Sequence, residues 1–259
     1  MQTGAKTGAS MNPPKAYKNL DFLNSPAARS IRILCEYEEP RQRFIDQGVE
    51  NTIVLFGSAR SKPSQVTAQL VAEAREAGDA DALALAERQQ RMSRYYDDAR
   101  ALAGRMTRWS MEREGGDYYI CSGGGPGIME AANRGAADID GGRSVGLGIS
   151  LPFETGVNEW VTPELAFEFH YFFTRKLWFL YFCKALVIFP GGFGTMDELF
   201  ETLTLVQTGK IKKRLPILLY GRDFFENIFN LEAMADFGTI SPKDLDLFRV
   251  TRWMRPSIG

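Results

Sequence analysis

Apolar and polar positions alternate between two periods along this chain, and the switches between them lay out its elements. From Ser25 to about Gln47, apolar residues (Ile31, Ile33, Leu34, Cys35, Phe44, Ile45) recur at helical spacing, with Pro40 expected to break or kink the run. Thr52–Phe56 (TIVLF) is continuous and β-branched instead, the pattern of a strand buried on both faces of a parallel sheet. Residues 65–114 are rich in Ala, Arg, Glu and Met and predict two helices, broken at Gly78-Asp79, the second of them long. The excess over a single crossover helix reads as an insertion whose charges face solvent or another subunit. After it, strands are expected at 117–121, 144–149, 185–189 and 216–220, with a further candidate at 165–173. Helices are expected at 128–137, 175–184, 195–208 and 223–236. Repeated β-α-β predicts an α/β fold, with a mostly parallel sheet and helices on both faces. Residues 1–24 read as a flexible N-terminal arm and 25–259 as a single domain.

Charge narrows the partners. Among 259 residues, 31 Lys and Arg face 32 Asp and Glu, a net charge of −1. Such a chain has no bulk attraction for nucleic acid or an anionic membrane, so any anion site must be local. The most apolar stretch, 177–189, is interrupted by Lys184 and falls short of the ~20 residues a membrane span needs. The first 20 residues contain no apolar signal core. Cys35, Cys121 and Cys183 fit no disulfide framework or CxxC metal site, and the single histidine, His170, removes most zinc chemistry. No metal, no membrane and no nucleic acid are expected, and a reducing, cytoplasmic compartment is.

Candidate chemistry sits at two strand–glycine–helix junctions. In Ser122-Gly-Gly-Gly-Pro-Gly-Ile-Met-Glu130 the glycines let backbone N–H groups approach an anion, Pro126 preorganises the first helical turn, and the helix N-terminus adds partial positive charge. Pro190-Gly-Gly-Phe-Gly-Thr195 repeats the device after another strand, with the Thr195 hydroxyl as a further donor. The structural alternative is two tight turns that need positive φ. Two such loops at strand C-termini favour a phosphate-bearing ligand. Neither loop is GxxxxGK[ST], and the first lacks the third glycine of GxGxxG, which argues against a P-loop NTPase or a nicotinamide enzyme.

Glu198 has two readings. Thr195-Met-Asp-Glu198 is a T-x-x-E capping box, and Glu201 follows one turn later. Arg175 and Lys176 are expected to open a helix that is apolar nearly all round, where cations oppose the helix dipole. Either Glu164 or Glu168 pairs with them, or an anionic ligand does. His170, among Phe167, Phe169, Tyr171, Phe172 and Phe173, reads as structural.

Gly123-Gly-Gly-Pro-Gly-Ile-Met-Glu-Ala-Ala-Asn-Arg-Gly-Ala136, Arg175-Lys176 and Pro190-Gly-Gly-Phe-Gly-Thr-Met-Asp-Glu198 together resemble the LOG ("Lonely Guy") family, once widely labelled lysine decarboxylases. The resemblance covers roughly residues 53–220; Phe172-Phe173 stands where Met-His often precedes the Arg-Lys pair. It implies a Rossmann-like three-layer fold, a homodimer, no cofactor, and hydrolysis of a nucleoside 5′-monophosphate, AMP-like or a cytokinin riboside monophosphate, to free base and ribose 5-phosphate. Carried onto this chain, it makes Arg175 and Glu198 the catalytic pair. Gly192, Gly194 and Thr195 would hold the phosphate. Lys176 and Glu154 would contact substrate, and Ser58, Gly123, Gly124, Gly125 and Gly191 complete the substrate-binding set.

The chemistry agrees with that implication: glycosidic cleavage develops an oxocarbenium-like sugar that a carboxylate can stabilise. Arginine, with a pKa above ~12, would position rather than donate a proton. A decarboxylase using pyridoxal phosphate finds no Ser-x-His-Lys motif here. The alternatives are a non-hydrolytic nucleotide- or molybdenum-cofactor-binding carrier of similar fold, and a partner surface built on 65–114.

Overall fold

Seven parallel strands form one sheet in the order β4-β3-β2-β1-β5-β6-β7. The computed structural model describes residues 13–114, 117–152 and 156–251. The strands are β1 (Thr52–Phe56), β2 (Tyr119–Ser122), β3 (Ser144–Ile149), β4 (Ala166–Phe169), β5 (Cys183–Ile188), β6 (Ile217–Tyr220) and β7 (Arg249–Thr251). The helices are α1 (Leu20–Asn24), α2 (Arg29–Asp46), α3 (Ser64–Ala77), α4 (Ala80–Glu112), α5 (Ile128–Ala137), α6 (Phe172–Tyr181), α7 (Phe193–Gln207), α8 (Arg222–Ile228) and α9 (Leu231–Asp236).

All five side chains of β1 are buried, as a double-faced strand requires. Its alternate residues feed two cores. Val54 and Phe56 join Phe44, Phe167, Trp178, Phe179 and Leu199 on the face covered by α2, α6 and α7. Ile53 and Leu55 join Tyr95, Tyr96, Ala99, Ala103, Ile128 and Ala132 on the face covered by α4 and α5. The result is a three-layer, Rossmann-like α/β fold. Among the described residues, no helix is long and apolar enough to cross a membrane.

From β1 the chain steps outward through β2 and β3 to β4, then returns to lay β5 against the other side of β1. That reversal leaves a crevice at the strand C-termini between β1 and β5, where open α/β sheets take their ligands.

The two helices expected over 65–114 are present, meeting at Gly78, whose φ of 66° ends α3, and at Asp79, whose side chain accepts from the Asp81 and Ala82 amides to start α4. The second half of α4 buries Tyr95, Tyr96, Ala99, Ala103, Thr107 and Ser110, so this half is the β1–β2 crossover itself. Small residues bring α5 close: a Cβ on Gly135 would meet the Arg100 carbonyl oxygen at 2.1 Å. The length beyond a simple crossover is α3 with the opening turns of α4.

Four expectations change. Pro40 does not break α2, which runs unbroken past it; the carbonyl it leaves without an amide partner, that of Glu36, accepts instead from Trp178 Nε1 at 2.9 Å. Helix α6 begins at Phe172, three residues earlier than expected, because the Glu36 carboxylate takes up the His170 and Tyr171 amides ahead of it. The helix expected over 223–236 is two, with Asn230 capping the second through the Ala233 amide. The edge strand β7 was not foreseen. Within the expected arm, Arg32 fastens the end of α1 through the Leu23 and Ser25 carbonyls, both at 2.6 Å; residues 1–12 lie outside the described residues.

Candidate functional site

Because every strand runs the same way, the loops after β1, β2 and β5 open at one edge of the sheet, as the sequence predicts. Ser58 stitches them together. Its amide donates to Pro190 O at 3.0 Å, and its carbonyl accepts from the Ile128 amide at 3.0 Å. Its hydroxyl accepts from the Arg60 amide at 3.1 Å. The first amide of α5 is therefore spent within the protein.

The Gly123–Gly127 loop is packed. Gly123, Gly124 and Gly125 are buried. A Cβ on Gly123 would strike Arg175 Nη2 at 2.5 Å, and one on Gly124 would strike Val157 at 2.6 Å. Gly127 has a φ of 72° and lies so close to Ser58 that an added Cβ would sit 2.3 Å from its carbonyl oxygen. Two asparagines fix the loop. Asn158 Nδ2 donates to Gly124 O at 2.9 Å and to Asn133 Oδ1 at 3.0 Å. Asn133, fully buried, accepts from Ser122 Oγ at 2.7 Å and donates to Ser144 Oγ at 3.0 Å. Ser122 Oγ in turn accepts from the Gly124 amide at 3.0 Å. Sequence reasoning assigned neither asparagine a role. Asn133 was findable as the polar residue on a helix face otherwise made of Ile128, Ala131, Ala132 and Ala136; Asn158 sits in an irregular stretch with no period to betray it.

The loop after β5 is open. Gly192, Phe193 and Gly194 are exposed, Phe193 at 97%, and a Cβ on Gly192 or Gly194 would meet nothing within 4 Å. Helix α7 starts at Phe193 with Gly192 as its cap residue, and no side chain caps it. The capping-box reading of Thr195 and Glu198 is thereby overturned: the helix begins three residues too early for Thr195 to be its cap. Thr195 instead tucks beneath Gly191, where a Cβ would lie 2.1 Å from Thr195 Oγ1. The α7 N-terminus is thus exposed at 192–194 and uncapped, the kind of helix terminus at which anions bind.

Glu198 lies one further turn into α7, with 7% of its surface exposed. Burial pushes its carboxyl up to about 7, against the downward pull of Lys176 and then Arg175. Desolvation wins over two cations. Lys176 bridges Asp197 Oδ2 at 2.7 Å and Glu201 Oε2 at 2.6 Å. Burial acts to lower its pKa, but those two hydrogen bonds and the charge of Glu198 outweigh it, and the net shift is upward. The partners expected for the cations, Glu164 and Glu168, are not the ones used by Lys176; Glu168 accepts from Ser150 Oγ. Arg175 Nε donates to the Leu147 carbonyl within β3, 2.7 Å away, and its guanidinium lies 5.0 Å from the Phe179 ring. Since α6 begins at Phe172, both cations stand beyond its first three residues, where the dipole penalty is smaller than expected.

Arg175 and Lys176 thus lie within electrostatic reach of Glu198, Gly123 lies against Arg175, and Ser58 ties the loops after β1, β2 and β5 together. Glu154 lies outside the described residues. His170 is exposed, with its ring edge-on to Tyr171 at 4.6 Å and its amide on Glu36. Although apolar nearly all round, α6 is not covered on every side: Phe172, Phe173, Leu177 and Tyr181 are exposed.

Fold and site together define an open parallel α/β protein with a buried carboxyl beside two cations and an uncapped helix terminus after β5. Residues 129–255, which carry Arg175, Lys176 and Glu198, match the model of a family described as possible lysine decarboxylase. No curated protein matches the chain. Among solved structures, the molybdenum cofactor binding protein from the phototrophic bacterium Rippkaea orientalis is similar at 15% identity and a TM-score of 0.42, covering 77% of this chain and 86% of that one.

Proposed function

We propose that this protein hydrolyses the N-glycosidic bond of a nucleoside 5′-monophosphate, releasing the free base and ribose 5-phosphate. The observation that supports this most is the buried Glu198 carboxyl, poised at about 7 beside Lys176 and Arg175 and one turn from an uncapped helix N-terminus. A phosphate seats on the α7 amides by way of Gly192 and Gly194, which places the ribose over Glu198. The ionised carboxylate stabilises the oxocarbenium-like sugar and accepts a proton from water as its oxygen bonds to C1′. The C1′–N bond breaks with its electron pair leaving on the base, whose nitrogen takes up that proton. A carboxyl near 7 serves both halves of this exchange at neutral pH. Arg175, anchored on Leu147 O, orients the substrate and balances the added negative charge.

The test is product analysis with purified protein. Ribose 5-phosphate should appear from AMP, and adenosine should be cleaved at least about tenfold more slowly, since it lacks the group the open loop receives. Equal turnover of the two, or no product across the nucleoside monophosphates and an isopentenyladenosine monophosphate, defeats the reading.

The same reading carries a homodimer. Phe173, Leu177 and Tyr181 of α6, with Leu34 and Tyr37 of α2, all exposed, line two adjoining grooves of about 530 and 470 Å³. Apolar surface of this extent rarely stays bare on a monomer. Sedimentation giving a monomer at micromolar concentration would remove this part. Free thiols at Cys35, Cys121 and Cys183 support a reducing, cytoplasmic compartment.

A further inference from the structure

Helix α6 starts without help from its own sequence: Tyr171, its cap residue, offers no side-chain bond to the orphan amides of the first turn. The help comes from α2. Glu36 Oε1 accepts from the His170 amide at 2.7 Å, and Oε2 accepts from the Tyr171 amide at 3.2 Å and from the Thr174 hydroxyl. A carboxylate at this end of a helix also suits the dipole. The main chain of the same residue takes a fourth donor. Pro40, having no N–H, leaves the Glu36 carbonyl to Trp178 Nε1. Trp178 is 1% exposed and packs against Phe44 of α2 with ring centroids 5.6 Å apart. One residue therefore grips α6 at 170, 171, 174 and 178, on either side of Arg175 and Lys176.

We propose that Glu36 is a positioning residue for the reaction, holding the first turns of α6 so that Arg175 and Lys176 stay in register with Glu198. This rests on the hydrolase reading above and adds to it a helix that lies outside residues 129–255, the part matched by the family. Glutamine cannot replace Glu36. It brings one acceptor oxygen to a place where three donors converge, and its NH2 group faces donors rather than acceptors. With the grip loosened, the turn carrying the two cations drifts, and drifts of ~1 Å around a reacting centre cost up to about 10²-fold in rate.

The electrostatic consequence separates positioning from mere stability. Glu198 is faced from α6 by Lys176 and Arg175, which lower its pKa, and along α7 by Asp197 and Glu201, which raise it. Only the first pair moves when α6 moves. The midpoint of Glu198 then rises.

The experiment uses the full chain as wild type, Glu36→Gln, Thr174→Val, and Arg41→Ala as a control on an exposed position of α2. It reads ribose 5-phosphate release from AMP as kcat and KM, the thermal midpoint, and the Glu198 carboxyl titration by carbon-13 NMR, assigned by its loss in Glu198→Gln. Glu36→Gln should lower kcat about tenfold or more, change KM less than kcat, and shift the Glu198 midpoint upward. Thr174→Val should move both in the same direction by less, and Arg41→Ala should match wild type. A folded Glu36→Gln with wild-type kcat and an unmoved midpoint overturns the proposal. If Glu36→Gln does not fold, Thr174→Val decides by the same two readings. If the wild type releases no product, the hydrolase reading falls, and the NMR midpoint alone decides the grip: a shift supports it, no shift overturns it.

Discussion

The two glycine loops look alike in sequence and do opposite things in space. The loop after β2 is filled by the protein itself: Asn158 holds its carbonyls, Arg175 lies against Gly123, and Ser58 takes the first amide of α5. The loop after β5 leaves Gly192 and Gly194 facing nothing within 4 Å. Glycine serves close packing in the first case and leaves the backbone exposed in the second. A run of glycines thus shows that something must come close, while the neighbours decide whether it is the chain or a ligand.

Substitution should separate the loops most sharply at Gly127. An added methyl meets both a φ of 72° and the Ser58 carbonyl, so Gly127→Ala should cost about 2–5 kcal/mol. Denaturant unfolding measures this, and a loss below 1 kcal/mol would show that the packed loop can relax.

The open loop should fail by chemistry instead. Glu198→Gln keeps the shape and removes the charge, and turnover should fall by at least ~100-fold. Its stability should move the other way. A carboxyl raised from 4.5 to about 7 by burial favours the folded state only while protonated, so that contribution is complete below about 4.5 and lost as pH rises through about 7. Glutamine is neutral throughout. The variant should therefore be more stable than wild type at pH 8, by on the order of 2–3 kcal/mol, with the gap closing towards pH 5. Melting curves at the two pH values check the sign.

Smaller effects follow at the rim. Gly192→Ala should change stability by less than about 1 kcal/mol, since its φ of −91° suits any residue, while KM for AMP rises several-fold and adenosine, without a phosphate, is little affected. The acid limb of kcat should lie near pH 7, and Lys176→Met, which removes a charge that lowers Glu198, should move it upward. A limb that stays in place would mean that a different group controls turnover.

The sheet was legible because its strands are uniform: TIVLF at β1 and SVGLGI at β3 are buried nearly throughout, so continuous apolar runs gave their bounds. The site was legible as far as its motifs are local. Glycines, Arg175 and Glu198 could be found; how they are held could not. The start of α6 depends on Glu36, 134 residues from His170, and nothing in Phe172-Phe173 announces it. The T-x-x-E spacing misled for the complementary reason. It is a local signal for a cap, and the flexible Gly191-Gly192 pair let the helix begin upstream of it. The exposure of α6 was legible only in part, because a helix apolar all round looks the same from sequence whether another layer or another molecule covers it.

The seam at which β1 meets β5 has a consequence for how the chain is made. Val54 and Leu186 are neighbours across it, though well over a hundred residues separate them. While the polypeptide emerges from its N-terminus, β1 can pair only with β2, and its other edge stays open until β5 arrives. That edge belongs to an uncharged, β-branched five-residue run, the kind of segment that seeks pairing with any strand it meets. High contact order makes such closures slow. The crevice proposed to receive the nucleotide is therefore the place where the nascent chain is longest exposed to misassembly, and its late closure is what ends that exposure.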